Sequence, residues 1–138
     1  MKVKNLAILA GVLGLLAACG GSNIVEPADI NNQKVFFAFD SAEITEEARN
    51  NLLGQALYLK NHDDVKVQIG GNCDERGTTE YNLALGNRRA NAAKSVIVKD
   101  GIDAKRISTI SYGKERPAVQ GTGEEVWSQN RNATTVAK

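Results

Sequence analysis

Residues 70–93 read GGNCDERGTTEYNLALGNRRANAA, and the rest of the chain is understood from this stretch outward. Its glycines, Gly70, Gly71 and Gly77, bound a turn that holds Asp74, Glu75 and Arg76. Before the turn, VKVQI (65–69) alternates apolar and polar residues as a half-buried strand does. After it, Thr78 or Thr79 can cap a helix that runs through Leu85, Ala92 and Val96 and stops near Gly101. The charged turn thus lies at a helix N-terminus, where unpaired backbone N–H groups and a partial positive charge favour carboxylates. Arg89 stands four residues after Leu85 and four before Ala93, on the apolar side of that helix. A guanidinium there needs a partner, because an unpaired buried charge is costly. Two readings stay open at this point: a structural salt bridge between Arg89 and Asp74, or a pocket for a ligand carrying both charges.

Working outward, strand and helix patterns alternate. VFFAF (35–39) reads as a short apolar strand, and Thr45 followed by Glu46 and Glu47 as a helix start. Ala48, Leu52, Ala56 and Leu59 recur at helical spacing up to about Asn61. RISTISY (106–112) is a further strand, followed by the loop GKERPAVQGTG, a short helical stretch EEVWSQNR and a weak last strand ATTVAK. The order β-α-β-α-β-(α)-β predicts an α+β fold, a two-layer α/β sandwich with helices on one face of a mixed sheet, over residues 34–138.

The front of the chain is of another kind. Lys2 and Lys4 precede the apolar run Leu6–Ala18, whose 13 residues are too few to span a bilayer, which takes roughly 20. The run has the length of a signal-peptide h-region and ends in small residues. Residues 1–18 are expected to be a signal peptide, and 19–33, rich in Gly, Asn and Pro, a flexible tether. Loss of Lys2 and Lys4 would lower the 17 basic residues by two, to one fewer than the 16 acidic ones.

Composition excludes several functions. A formal charge of +1 and 5% aromatic residues give neither the basic excess nor the stacking surface of a nucleic-acid binder. Cys73 has no disulfide partner once Cys19 is otherwise used, and fits a small buried slot. His62, the sole histidine, lies far from Cys73 in sequence, so no metal site and no cofactor is expected. A wall hydrolase would need two carboxyl groups facing across roughly 5–9.5 Å, which the adjacent Asp74 and Glu75 do not offer, and the chain is read as a non-enzyme.

Two motifs match known patterns. Leu16-Ala17-Ala18-Cys19 resembles the lipobox of bacterial lipoproteins, which implies diacylation of the Cys19 thiol and cleavage before it. Asp74 to Thr78, Glu80 to Asn82, Leu85-Gly86 and Arg88 to Ala92 closely resemble the OmpA-like peptidoglycan-binding domain family, in the form found in peptidoglycan-associated lipoproteins of the Tol–Pal system. Phe36 to Asp40 and Ser111 to Ala118 are similar to other motifs of that family, so the likeness runs from Val35 to Arg131.

The resemblance implies a ligand, the meso-diaminopimelate of the peptidoglycan stem peptide, whose side-chain end carries an ammonium and a carboxylate. Asp74 would take the ammonium and Arg89 the carboxylate, with Asn72, Gly77 and Thr78 completing the shell. It also implies a lipid-anchored place on the outer membrane, with Gly20 and Gly21 favouring export there, a domain facing the periplasm, and TolB and other Tol proteins as partners. The alternative in the same class is the binding module of another envelope or motor complex, such as a flagellar stator, which would have a transmembrane helix in front. Three positions depart from the family pattern. Gly70 replaces a common acid, Asn132 replaces an arginine, and the last strand is Thr134 to Lys138 where aliphatic residues are usual. Asn132 and the last strand are expected to weaken packing at that edge of the sheet and any second basic contact to the ligand, and Gly70 to have no consequence for Asp74.

Overall fold

The computed structural model describes residues 24–138; the signal peptide and Cys19 lie outside them. Four strands and three helices follow in order: β1 (Gln33–Phe36), α1 (Glu46–Asn61), β2 (Val67–Asn72), α2 (Thr79–Lys99), β3 (Ile107–Gly113), α3 (Glu124–Asn130) and β4 (Asn132–Ala137). The sheet order is β1-β4-β2-β3, with β4 antiparallel to β1 and β2, and β2 parallel to β3. The architecture is the α+β, mixed-sheet sandwich that the strand and helix pattern predicts.

Alternation along the strands separates two faces. Val67 and Ile69 of β2, Val35 of β1 and Ala133 of β4 point into one core with Leu52, Ala56 and Leu59 of α1 and Ala90, Ala93 and Ile97 of α2. Both long helices start at threonine caps, Thr45 accepting from the Ala48 N–H at 3.0 Å and Thr78 from the Tyr81 N–H at 3.1 Å. The cap on α2 fixes where its first turn meets the charged loop.

How closely α2 rides on the sheet is set by two glycines. A Cβ placed on Gly71 would lie 1.7 Å from the Gly86 carbonyl oxygen, so strand and helix backbones touch. No side chain fits there. Arg89, three residues after Gly86, is thereby delivered over the end of β2.

Three expectations are corrected. The last strand is not at an edge: β4 is interior and hydrogen-bonded on both sides. Its threonines serve because strand pairing uses backbone groups, and the inward Thr135 hydroxyl is satisfied by Gln55 Oε1 at 2.6 Å in the core. The tether does not extend to residue 33. Ile30 is buried in the core, Asn31 Oδ1 accepts from the Ala137 N–H at 2.7 Å, and Glu26 accepts from Asn61 at 2.9 Å. Even the Val25 carbonyl lies against Gly54, where a Cβ would meet it at 2.2 Å. Finally, β1 ends at Phe36, and the chain then leaves the ladder and turns at Asp40, whose φ of 57° is left-handed.

Candidate functional site

A cleft of about 360 Å³ opens between the β2–α2 turn, the N-terminal part of α2 and the segment after β1. Asp74, Gly77 and Arg89 line it, as do Phe39, Asp40 and Tyr81.

Arg89 is the largest fully buried side chain among the described residues, 1% exposed. Its guanidinium makes no ion pair among the described residues. Instead Nε donates to the Ser41 carbonyl (2.8 Å), Nη1 to that of Asn72 (2.9 Å) and Nη2 to that of Ala38 (3.1 Å). These bonds tie the segment after β1 to the end of β2, so Arg89 is a strut as well as a lining group. A guanidinium fork has five N–H groups, so two remain beyond those that hold the three carbonyls. Burial lowers the Arg89 pKa from its ordinary value, and the group stays a cation because arginine does not deprotonate in proteins. The salt bridge to Asp74, one of the two readings left open by the sequence, is not formed.

Asp74 is held by other arginines. Its Oδ1 accepts from the Arg76 backbone N–H at 3.0 Å and Nε at 3.1 Å, and its Oδ2 from Arg76 Nη2 at 2.8 Å and Arg131 Nη1 at 3.5 Å. Burial acts to raise the Asp74 carboxyl, but the Arg76 hydrogen bonds outweigh it and hold the carboxyl below its usual range. The Arg76 guanidinium lies between two rings, 3.9 Å from the Phe39 centroid and 4.0 Å from that of Trp127. Trp127 in turn donates to Glu75 Oε2 at 2.8 Å. The opening charged turn is therefore a closed assembly, with Arg76 bridging its acid and its aromatic rim.

The predicted shell is only partly assembled. Gly77 is at the cleft with φ 97°, a left-handed conformation that suits glycine. The Thr78 side chain is committed to the helix cap. Asn72 is corrected: its side chain faces the helix-free side of the sheet and donates to Asn132 Oδ1 at 2.9 Å. Residues alternate across a strand, which puts Asn72 on the same side as Gly70 and Gln68. Only its carbonyl serves the cleft, through Arg89.

A second basic side chain stands beside Asp74. Arg131, 6% exposed, reaches Asp74, donates to the Phe37 carbonyl at 2.8 Å and pairs with Glu124 at 2.8 Å. The Glu124 carboxyl is held low by that Arg131 hydrogen bond. Asn132 points to the opposite face and meets Asn72.

Sequence reasoning missed Asp40, Arg76 and Tyr81. Asp40 lines the cleft and accepts a hydrogen bond from the Tyr81 hydroxyl. The signal for Arg76 was present in its place two residues after Asp74, the spacing at which an aspartate accepts from a following backbone N–H. For Asp40 the signal was its position at the end of the aromatic run, within the motif Phe36 to Asp40.

The OmpA family model matches residues 36–131. A peptidoglycan-associated lipoprotein of Haemophilus influenzae is 42% identical over 146 residues, covering 95% of each chain. One of Brucella melitensis is 42% identical over 134 residues, covering 96% of this chain and 80% of the other. The crystal structure of the peptidoglycan-associated lipoprotein from Burkholderia pseudomallei is 40% identical and covers 77% of this chain and 90% of that one, with a TM-score of 0.75. The C-terminal domain of Helicobacter pylori MotB, at 18% identity and a TM-score of 0.70 over 79% of this chain and 84% of that one, shares the fold. On the family match and these relatives, the chain belongs to the OmpA family and, within it, to the peptidoglycan-associated lipoproteins.

Proposed function

We propose that this protein is an outer-membrane lipoprotein whose cleft binds the meso-diaminopimelate of the peptidoglycan stem peptide, non-covalently and without catalysis. Lipid at Cys19 would hold one end and the wall the other. The names of its relatives and the lipobox support the anchor and the wall as the two attachments. A role with TolB and other Tol proteins, in envelope integrity and constriction at division, is part of the same reading and rests on the family resemblance.

The observation that carries the reading is Arg89: a buried guanidinium that lines a cleft and has no carboxylate of the described residues for a partner. A ligand carboxylate would supply the counter-charge, with charge-assisted bonds of roughly 1.5–3 kcal/mol each. Asp74 already accepts a cation at close range, which supports it as the group that would take the ligand ammonium. The ligand ammonium would replace the Arg76 side chain there or share the carboxylate with it. A lysine-type stem lacks the second carboxylate and would leave Arg89 unmatched, at a cost of order 2–5 kcal/mol.

Val25 is already docked, and only five residues, or six backbone steps, separate it from Cys19. At 3.3–3.6 Å each they reach at most about 20 Å. The cleft would work close under the membrane, at an effective concentration that makes a weak contact hold.

The test is titration of the protein with a diaminopimelate-containing stem peptide beside its lysine counterpart. Preference for the former by tenfold or more is expected, and lost in Arg89→Lys, which keeps the charge but not the fork. Equal binding of the two peptides by the unaltered protein would refute the site.

A further inference from the structure

We propose that the helix-free face of the sheet carries a second site, for the carboxylate end of an acylated peptide. Its cleft, of about 270 Å³, lies behind β2 from the first and includes Lys34, Gln68, Asn72, Tyr112, Arg116 and Thr134.

The starting point is Asn72 Oδ1, a buried acceptor with no donor. A misassigned amide does not account for it. Asn132 Nδ2 donates to the Gln129 carbonyl at 2.9 Å, and Asn132 Oδ1 accepts from the Thr134 hydroxyl at 2.8 Å. The same Oδ1 accepts from Asn72 Nδ2, so the orientation of both amides is fixed and the oxygen of Asn72, a residue that lines the cleft, is left without a donor. A buried acceptor of this kind is a position for an incoming donor.

The second observation is charge. Lys34 and Arg116 line this cleft, no acidic residue does, and neither cation has a hydrogen bond or ion pair among the described residues. Arg116 lies flat on Tyr112, its guanidinium carbon 3.9 Å from the ring centroid. Tyr112 in turn covers Gly70, where a Cβ would come within 2.7 Å of the ring. The glycine that replaces an acid here therefore clears the floor for the ring and removes a competing negative charge. A stacked guanidinium keeps its N–H edge free for an oxyanion.

One ligand group satisfies both features. The terminal residue of an acylated peptide has a carboxylate for the cations and, one bond from its α-carbon, an amide N–H for Asn72 Oδ1. A simple anion leaves the oxygen unmatched, and a neutral amide leaves the cations so. The two clefts share Asn72, because its carbonyl holds Arg89 on the other side.

The test uses the full chain in detergent micelles, titrated with N-acetyl-alanyl-alanine in both enantiomeric forms, with its C-terminal amide, and with acetate, followed by backbone amide NMR. Saturable shifts at residues 68–72 and 132–134 are expected for the carboxylate form of at least one enantiomer, unchanged by excess free diaminopimelate. The C-terminal amide and acetate should each bind about tenfold more weakly, and Arg116→Ala should weaken the carboxylate form about three- to tenfold. Arg116 is exposed and makes no structural hydrogen bond, so that variant folds whether or not Asn72 tolerates change. Shifts confined to residues 74–89, acetate binding as well as the peptide, an unaltered Arg116→Ala, or no saturation below about 10 mM would each overturn the proposal. Because free diaminopimelate enters only as a competitor, failure of the first cleft to bind it leaves this result readable.

Discussion

Arg89→Ala should cost more in stability than in recognition alone. The change strips the donor from three carbonyls, those of Ser41, Asn72 and Ala38. An acceptor left without its donor costs roughly 1–3 kcal/mol. The Ala38 carbonyl retains the Ser41 N–H at 3.2 Å, and water can follow the missing side chain into the cleft, so the low end of that range applies to each. Removal of a buried cation returns part of its own desolvation cost. The net expectation is a loss of about 2–4 kcal/mol, or about 10–20 °C in melting temperature for a domain of this size. Urea and thermal melts, followed by circular dichroism, measure it. Arg89→Lys should fall between, because an ammonium keeps the charge but cannot span three carbonyls. A melting temperature for Arg89→Ala within about 2 °C of the parent would refute the strut.

Other expectations follow from the same contacts. Arg76→Ala should tighten the diaminopimelate stem peptide several-fold, since it removes the cation that already occupies Asp74; weaker binding by calorimetry would make Arg76 a ligand contact instead. Asp74 titrates lower when folded than when unfolded, so the unfolded chain binds more protons in that window and stability rises with pH across it. Its contribution should be complete above about pH 4 and lost as pH falls through the folded value, seen as a shrinking gap between parent and Asp74→Asn in urea midpoints. Gly71→Ala should abolish folding or cost more than about 3 kcal/mol, because the added carbon meets backbone and not a movable side chain. Burial raises the Cys73 thiol pKa, so the native protein should resist alkylation at pH 8 and react after denaturation.

Much of the fold was legible because local rules agreed with the packing. Thr45 and Thr78 cap the helices that the apolar spacing predicts, and β2 alternates as its sequence does. What local pattern cannot show is which strand lies beside which. β4 reads as weak because its stabilisation is backbone pairing on two sides and one buried threonine–glutamine bond, neither of which leaves an apolar signature. Ile30 was lost for the same reason, since one anchoring residue makes no period. At the cleft, the positions of Asp74, Gly77 and Arg89 were accessible from the turn-and-helix reading. The face taken by Asn72 was not, because it depended on β2 continuing three residues beyond the alternating run. Asp74's cation partner is a neighbour in sequence: the spacing offers the Arg76 backbone N–H, and side-chain geometry adds its guanidinium.

The place of β4 has a consequence for how the protein is made. Among the described residues β1 pairs with β4 and with no other strand, and β2 needs β4 on one side, so Gln33–Phe36 and Asn132–Ala137 meet in a single ladder. A chain in which Asn132–Ala137 are not yet available therefore has no way to close the sheet, whatever helices have begun to form. The fold therefore closes only once residues 132–137 are in place beside β1 and β2.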